Sequence, residues 1–359
     1  MRGSGKIKFL FRRLSWKFAE QMEKINIAII GSGSYSTGIV KILSDNKQAG
    51  VGNIGEIHWY IRRAEALEHI NKFKHNPNYL SSVELHTDGL ILSSDLKACI
   101  APADWVLIGV PSAFVNTVLK YLEPADLANK KIITVVKGLV PETNEIIADY
   151  LYNKFEVPYE NICMITGPSH AEEIALEKLT YLTFAASPVD LAMTMSQTFS
   201  NHYINTTITN DLKGAEYAAV LKNVFALAAG IYHGLGYGDN FHAFFITNAL
   251  KEMKKFVSKV SPMERDIEDA AYLGDLLATG YSSFSRNRMF GNLIGKGYTV
   301  TAAKAEMNMI AEGYYATGCM FEINKIHQVD LPILDAVYEV LYKHADTAET
   351  MKKLTERLY

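Results

Sequence analysis

Cysteine is scarce in this chain. Its three cysteines, Cys99, Cys163 and Cys319, lie far apart and form no Cys-x-x-Cys pair. That spacing excludes a disulfide framework, and it suits buried thiols in a reducing, cytoplasmic compartment. The histidines show no metal-ligand spacing, so no metal is expected. No apolar run approaches the ~20 residues that span a bilayer. Charge of neither sign dominates: the net charge of −3 carries no basic field that would draw nucleic acid. There is no Gly-x-Ser-x-Gly elbow, Walker loop, internal repeat, low-complexity tract or long linker. The 48% hydrophobic and 21% charged content is that of a globular protein, and 359 residues are enough for two domains.

The first 24 residues carry Arg2, Lys6, Lys8, Arg12, Arg13 and Lys17 between Phe9, Leu10, Phe11, Leu14, Trp16 and Phe18. They lack the continuous apolar core of a secretory signal. A basic amphipathic helix touching anionic membrane is one reading. An extension outside the fold, with Met22 as an alternative start, is the simpler one.

From Ile25 to Asn210, short apolar runs alternate with helical patterns. Strands are expected at Ile27–Ile30, Glu56–Ile61, Trp105–Val110, Lys131–Val136 and Ile162–Thr166, with Tyr181–Ala186 and His202–Asn205 as extensions of the sheet. Uninterrupted apolar runs suit parallel strands covered on both faces. The expectation is α/β: a doubly wound, Rossmann-type domain over residues 25–210. Beyond Asn210 helical periodicity dominates, so residues 211–359 are expected to form an all-helical substrate domain. Thr209-Asn210-Asp211 offers a cap for its first helix. The ligand cleft is expected between the two.

The first strand runs into Gly31-Ser32-Gly33-Ser34-Tyr35-Ser36. A glycine turn opening a helix aims backbone N–H groups at a pyrophosphate. Gly31 suits the tight turn and Gly33 close approach of phosphate; a plain tight loop is the competing reading. The second strand ends at Tyr60-Ile61, followed by Arg62-Arg63. An Arg there accommodates a 2′-phosphate, where Asp or Glu would bond a ribose 2′-hydroxyl. Arg62 follows the strand more directly; stacking on adenine, or plain solvent exposure, is the alternative.

Further along, Lys137 emerges at the carboxyl end of a buried strand, either toward a ligand or into solvent. Gly167-Pro168-Ser169-His170-Ala171-Glu172 has capping-box spacing between Ser169 and Glu172. Lys222 has Ala218, Ala219, Phe225 and Ala226 three and four residues away on a helix. On so apolar a face, burial would lower its pKa and fit it for acid–base work, unless it snorkels to solvent. Gly274-Asp275-Leu276 and Ser282–Arg288 form a polar, cationic cluster suited to a phosphate monoester, or a solvated basic turn.

Taken together these segments, with Val110-Pro111-Ser112, Leu221-Lys222-Asn223-Val224, Gly230–Asn240 and Ser285-Arg286-Asn287-Arg288, resemble the NAD(P)-dependent glycerol-3-phosphate dehydrogenases of the bacterial, soluble type. The resemblance runs from Ile25 to about Leu354. It implies reversible, NADP- or NAD-dependent reduction of dihydroxyacetone phosphate to sn-glycerol 3-phosphate for phospholipid synthesis, in a cytoplasmic homodimer. It also implies roles. Lys222 would donate the proton, Lys137 would stabilise the developing alkoxide, and Asp275 would orient Lys222 and a substrate hydroxyl. Ser285, Arg286 and Asn287 would hold the phosphate, with Gly167 and Ser169 lining the substrate. Ser34, Tyr35, Ala171, Ile310 and Glu312 would touch the cofactor beside Gly31 and Gly33, as would Lys137 and Arg286. The chain departs from the family's usual pattern at Tyr35 (for Trp), Ser36 (for Gly) and in the loop Asn78–Ser82. A related hydroxyacid dehydrogenase, or a dinucleotide sensor without chemistry, would share much of this pattern.

Overall fold

The computed structural model describes residues 24–307 and 311–359. The readings of the N-terminal segment and of Ile310 therefore lie outside the described residues. In chain order the elements are β1 (Ile25–Ile30), α1 (Ser34–Gln48), β2 (Ile54–Tyr60), α2 (Ala64–Phe73), β3 (Leu90–Ser93), α3 (Leu96–Ile100), β4 (Trp105–Ile108), α4 (Val115–Leu119), α5 (Pro124–Leu127), β5 (Lys131–Thr134), α6 (Ile147–Phe155), β6 (Ile162–Thr166), α7 (Ala171–Ala175), β7 (Thr180–Ala186), α8 (Val189–Phe199) and β8 (Ile204–Thr209). Helices follow: α9 (Leu212–Gly234), α10 (Asp239–Val260), a π-turn (Ala270–Gly274), α11 (Asp275–Tyr281), α12 (Arg286–Gly295), α13 (Val300–Glu306), α14 (Glu312–His327), α15 (Pro332–Tyr342) and α16 (Thr347–Arg357). None of the described helices is long and apolar enough to cross a membrane.

The strands form one sheet in the order β3-β2-β1-β4-β5-β6-β7-β8. Alternation along each strand feeds both faces. Ile27, Ile29 and Trp59 pack into one core, Ala28, Ile30 and Val106 into the other. The sheet is parallel through β6, but β7 pairs antiparallel with β6, from Cys163 opposite Ala186 to Thr166 opposite Thr183. The expected doubly wound sheet is present, with the extension strand β7 reversed. Apolar runs report burial on both faces and carry no strand direction. The edge strand β3, unmarked in the sequence, is short and only half-buried, so it has no apolar run to betray it. The strand order reverses between β1 and β4, and ligands of open α/β sheets bind beyond the carboxyl ends at that point.

Asp211 caps α9: its carboxylate accepts the Gly214 N–H at 3.0 Å. The same buried carboxylate accepts from Arg265 Nε at 2.7 Å, the Tyr272 hydroxyl at 2.6 Å and Ser261 Oγ at 3.1 Å. It thereby ties the start of α9 to the π-turn that precedes Asp275. Farther along, α9 meets α12 with almost no side chain between them. A Cβ on Gly291 would sit 1.9 Å from Leu227 O, and one on Gly230 2.1 Å from Arg288 O. This close approach seats the Arg286 end of α12 against the middle of α9. Elsewhere Glu252 of α10 caps α15 from a distance, accepting the N–H groups of Ile333 at 2.9 Å and Leu334 at 3.0 Å. The carboxyl is buried, and that burial pushes its pKa up to about 8 against the pull of both N–H groups.

Candidate active site

A cleft of about 680 Å³ opens at the carboxyl ends of the parallel strands, between the sheet and the helical half. Gly31 to Tyr35 after β1, Gly109 to Pro111 after β4, Lys137 after β5 and Ser169 to Glu172 after β6 form one wall. Lys222, Asp275, Thr279, Ser285, Arg286, Asn287 and Glu312 form the other.

The glycine turn fits a dinucleotide. Gly31 has φ +116°, and a Cβ there would lie 2.7 Å from Gly109 O. A Cβ at Gly33 would meet nothing within 4 Å, so the turn leaves open space on its outer side. Gly33 is the N-cap of the 15-residue α1 and supplies no side-chain cap. The first-turn N–H groups have no partners within the helix, and this turn lines the cleft, as a helix N-terminus that binds an anion would. Ser36 replaces a third glycine without cost: its hydroxyl donates to Gly109 O at 2.8 Å and stitches α1 to the end of β4. Arg62 and Arg63 are exposed on the cleft rim beyond β2.

At the opposite end one carboxylate organises two lysines. Asp275 Oδ1 accepts from Lys222 Nζ. Asp275 Oδ2 accepts from Lys137 Nζ at 3.0 Å and from Thr166 Oγ1 at 3.0 Å. Lys222 Nζ also donates to Thr279 Oγ1 at 2.9 Å, while that hydroxyl donates to Asp275 O at 2.8 Å. An ammonium has three N–H bonds; two of Lys222's are held by Asp275 and Thr279. Lys222 is 5% exposed, which settles the sequence question in favour of a buried amine rather than a snorkelling one. Burial, with help from the Lys137 charge, lowers its pKa to about 7 against the pull of Asp275. Burial would also lower Lys137, but the charge of Asp275, the neighbouring Tyr35 and the hydrogen bonds to Asp275 and Lys222 together outweigh it and hold that ammonium above its ordinary value. Asp275 is itself kept below the usual carboxylate range: burial opposes ionisation, and the two lysines overcome it.

A second network joins the two walls. Asn223 Nδ2 donates to Lys137 O at 2.6 Å, Asn287 Nδ2 donates to Asn223 Oδ1 at 2.8 Å, and Gly313 N–H donates to Asn287 Oδ1 at 2.8 Å. Glu312 closes the other side, accepting the Ser112 N–H at 2.9 Å and the Ser112 hydroxyl. Burial raises the pKa of that carboxyl against those bonds and the Arg286 charge.

The cleft gathers Gly31, Gly33, Ser34, Tyr35, Arg62, Lys137, Ser169, Ala171, Lys222, Asp275, Ser285, Arg286, Asn287 and Glu312. Gly167 stands one layer behind: its carbonyl accepts from Ser169 Oγ at 3.0 Å and Lys137 Nζ at 3.4 Å. The capping-box reading of Ser169 and Glu172 is corrected. His170 is the N-cap of α7, and Ser169 instead pairs with the Tyr35 hydroxyl at 2.9 Å. Ser285 is the residue that caps, accepting the Arg288 N–H at 3.3 Å at the start of α12. Sequence reasoning missed Asn223, Thr166, Thr279 and Ser112 as members of these networks. Thr279 had a signal, four residues after Asp275 on one helix face; the others depend on tertiary contacts. Among the described residues no group of three or more His, Cys, Asp or Glu could hold a metal.

Comparison with known proteins agrees with this geometry. Residues 26–192 match the family model for the NAD-dependent glycerol-3-phosphate dehydrogenase N-terminus, and residues 211–352 that for its C-terminus. A glycerol-3-phosphate dehydrogenase (NAD(P)+) of Bacillus velezensis is 32% identical over 333 residues, 92% of this chain and 94% of the relative. One from Streptococcus sanguinis is 33% identical over 336 residues, 93% of this chain and 96% of its own length. The crystal structure of glycerol-3-phosphate dehydrogenase from Coxiella burnetii superposes with a TM-score of 0.84 at 26% identity, covering 93% of this chain and 99% of that one. The chain belongs to the NAD(P)-dependent glycerol-3-phosphate dehydrogenase family.

Proposed function

We propose that this chain reduces dihydroxyacetone phosphate to sn-glycerol 3-phosphate, with Lys222 as proton donor. The observation that carries the reading is the buried Lys222–Asp275–Lys137 triad at one end of a cleft whose other end is a glycine turn. A nicotinamide dinucleotide, held by Gly31 to Tyr35 and the Arg62 rim, supplies the hydride when bound. Arg286, with Ser285 and Asn287 at the start of α12, binds the phosphate through charge-assisted bonds. Lys137, kept charged by Asp275, faces the substrate oxygen and favours the negative charge that develops on it. Lys222 delivers a proton to that oxygen. Its pKa near 7 suits transfer at neutral pH. Asp275 stays ionised and orients both ammoniums. A cytoplasmic location and a homodimer follow from the resemblance; the three cysteines are free and buried, as suits a reducing compartment.

Steady-state turnover with dihydroxyacetone phosphate and each reduced nicotinamide, followed by loss of the nicotinamide absorbance, tests the reaction. Lys222→Ala should lower kcat by ~10²–10⁴-fold while cofactor binding persists. Turnover restricted to carboxylate-bearing ketones would replace the phosphate reading with that of a hydroxyacid dehydrogenase.

A further inference from the structure

The glycine turn is held from behind at each of its three carbonyls. Trp59 Nε1 donates to Gly31 O at 2.7 Å. Asn76 Nδ2 donates to Ser32 O at 3.0 Å. Thr37 donates to Gly33 O twice, from its backbone N–H and its hydroxyl, each at 2.9 Å. Asn76 links these supports: its second N–H goes to Thr37 Oγ1 at 2.8 Å, and its Oδ1 accepts the N–H groups of Asn78 at 3.0 Å and Tyr79 at 3.3 Å. Both donors and both lone pairs of this amide are thus engaged. Asn76 is 2% exposed and Trp59 fully buried. Neither lines the cleft, whereas Ser32, Gly33, Ser34, Asn78 and Tyr79 do.

In a trans peptide the C=O and the following N–H point in opposite directions. Fixing the oxygens of residues 31, 32 and 33 toward the buried side therefore fixes the N–H groups of Ser32, Gly33 and Ser34 toward the cleft. Consecutive N–H groups so aligned make an anion-binding concavity. Without the supports, a glycine-rich segment would spread over several conformations and would have to be ordered as ligand binds, which costs affinity. Asn76 also carries the constraint to the rim at Asn78 and Tyr79.

We propose that Asn76 and Trp59 are positioning residues for the dinucleotide: they set the donors of the glycine turn, and Asn76 the adjoining rim, before the cofactor arrives. The inference rests on the dinucleotide reading of the cleft. Their loss should appear in cofactor affinity and leave chemistry alone.

The test is the dissociation constant for NADPH and for NADH, measured calorimetrically on the full chain without substrate, beside steady-state kinetics. Trp59→Phe keeps a buried ring and removes one neutral hydrogen bond, so Kd should rise about 2–12-fold. Asn76→Ala removes two such supports and should raise Kd by roughly 10–100-fold. In both variants KM for the cofactor should follow Kd, with kcat at saturating cofactor and KM for dihydroxyacetone phosphate close to wild type. A merely structural role would lower the melting temperature without that split. Unchanged Kd in either folded variant, or kcat falling at unchanged Kd, overturns the inference. If Asn76→Ala does not fold, Trp59→Phe decides alone. A wild-type chain that binds neither dinucleotide removes the cofactor reading and this inference with it; wild-type binding matched by the variants removes only the inference.

Discussion

Replacing Asp275 by Asn removes one negative charge and almost no volume from the centre of the site. In the wild type that charge faces two ammoniums in a buried setting. Opposite charges ~4 Å apart at an effective dielectric of ~20 attract by about 4 kcal/mol, about 3 pKa units. The loss should move the Lys222 break well below its wild-type value of about 7. Reduction requires protonated Lys222. The wild-type kcat/KM for reduction should therefore be flat below pH 7 and fall ~10-fold per unit above it. At pH 7 the Asn variant should hold only a small fraction of Lys222 protonated, and its kcat/KM should fall by at least ~10-fold. The diagnostic is recovery at low pH: between pH 7 and 5 the variant should regain activity while the wild type gains almost none. A phosphate dianion in the cleft adds negative charge beside both lysines, so the break in kcat should lie above that in kcat/KM. Initial rates of nicotinamide absorbance loss, at saturating cofactor over pH 5–9, measure all of this. An Asn variant with wild-type kcat/KM at pH 7, or with a deficit equal at every pH, would refute the assignment of Lys222 as an acid tuned by Asp275.

Arg286→Lys should raise KM for dihydroxyacetone phosphate strongly, because a lysine cannot reproduce the guanidinium fork; equal KM in both proteins removes the phosphate role. Arg62→Ala should lower kcat/KM for NADPH more than for NADH, by roughly 10–100-fold if the guanidinium makes a charge-assisted bond of about 1.5–3 kcal/mol to the 2′-phosphate. A wild type that strongly prefers NADH, or a variant that loses both cofactors equally, ends that reading. Glu252→Gln should lower thermal stability, since the amide leaves one of the Ile333 and Leu334 N–H groups facing an NH₂, at a cost of about 1–3 kcal/mol. The Glu252 carboxyl is raised to about 8 in the fold, so the native state holds its proton more tightly than the unfolded chain. The stability it adds is complete below the unfolded pKa and is lost as pH rises toward 8. The melting-temperature gap between wild type and Gln variant should shrink from pH 5 to pH 8; a constant gap contradicts a titrating cap.

The parts of this protein that were legible in its sequence are those whose signals are local. β1, the glycine turn and α1 form one contiguous stretch, and the turn chemistry of Gly31 is a backbone requirement that few other residues meet. Lys222 was legible because its three- and four-residue neighbours are small or apolar, and a helix turns such spacing into burial. What could not be read is what depends on distant chain segments. The Ser169 hydroxyl had two uses available, a cap for α7 or a partner for Tyr35, and only folding brings Tyr35, 134 residues earlier, within 2.9 Å. Gly167 shares a motif with Ser169 yet acts from behind, through its carbonyl on Lys137.

The same reasoning explains why so polar a centre tolerates such burial. A lone ammonium at the position of Lys222 would shed its proton, and a lone carboxylate at Asp275 would take one up. Placed together they stabilise each other's charged forms, while burial still leads at Lys222 and holds its pKa below the ordinary value. Lys137 alters that balance. It occupies the second oxygen of Asp275, competes for its charge and repels Lys222. The pKa of Lys222 therefore rests on burial first and then on two cations sharing one carboxylate, held by Thr166 and Thr279. Catalytic tuning here belongs to the cluster, and the three residues come from three separate places: the loop after β5, the middle of α9 and the first position of α11.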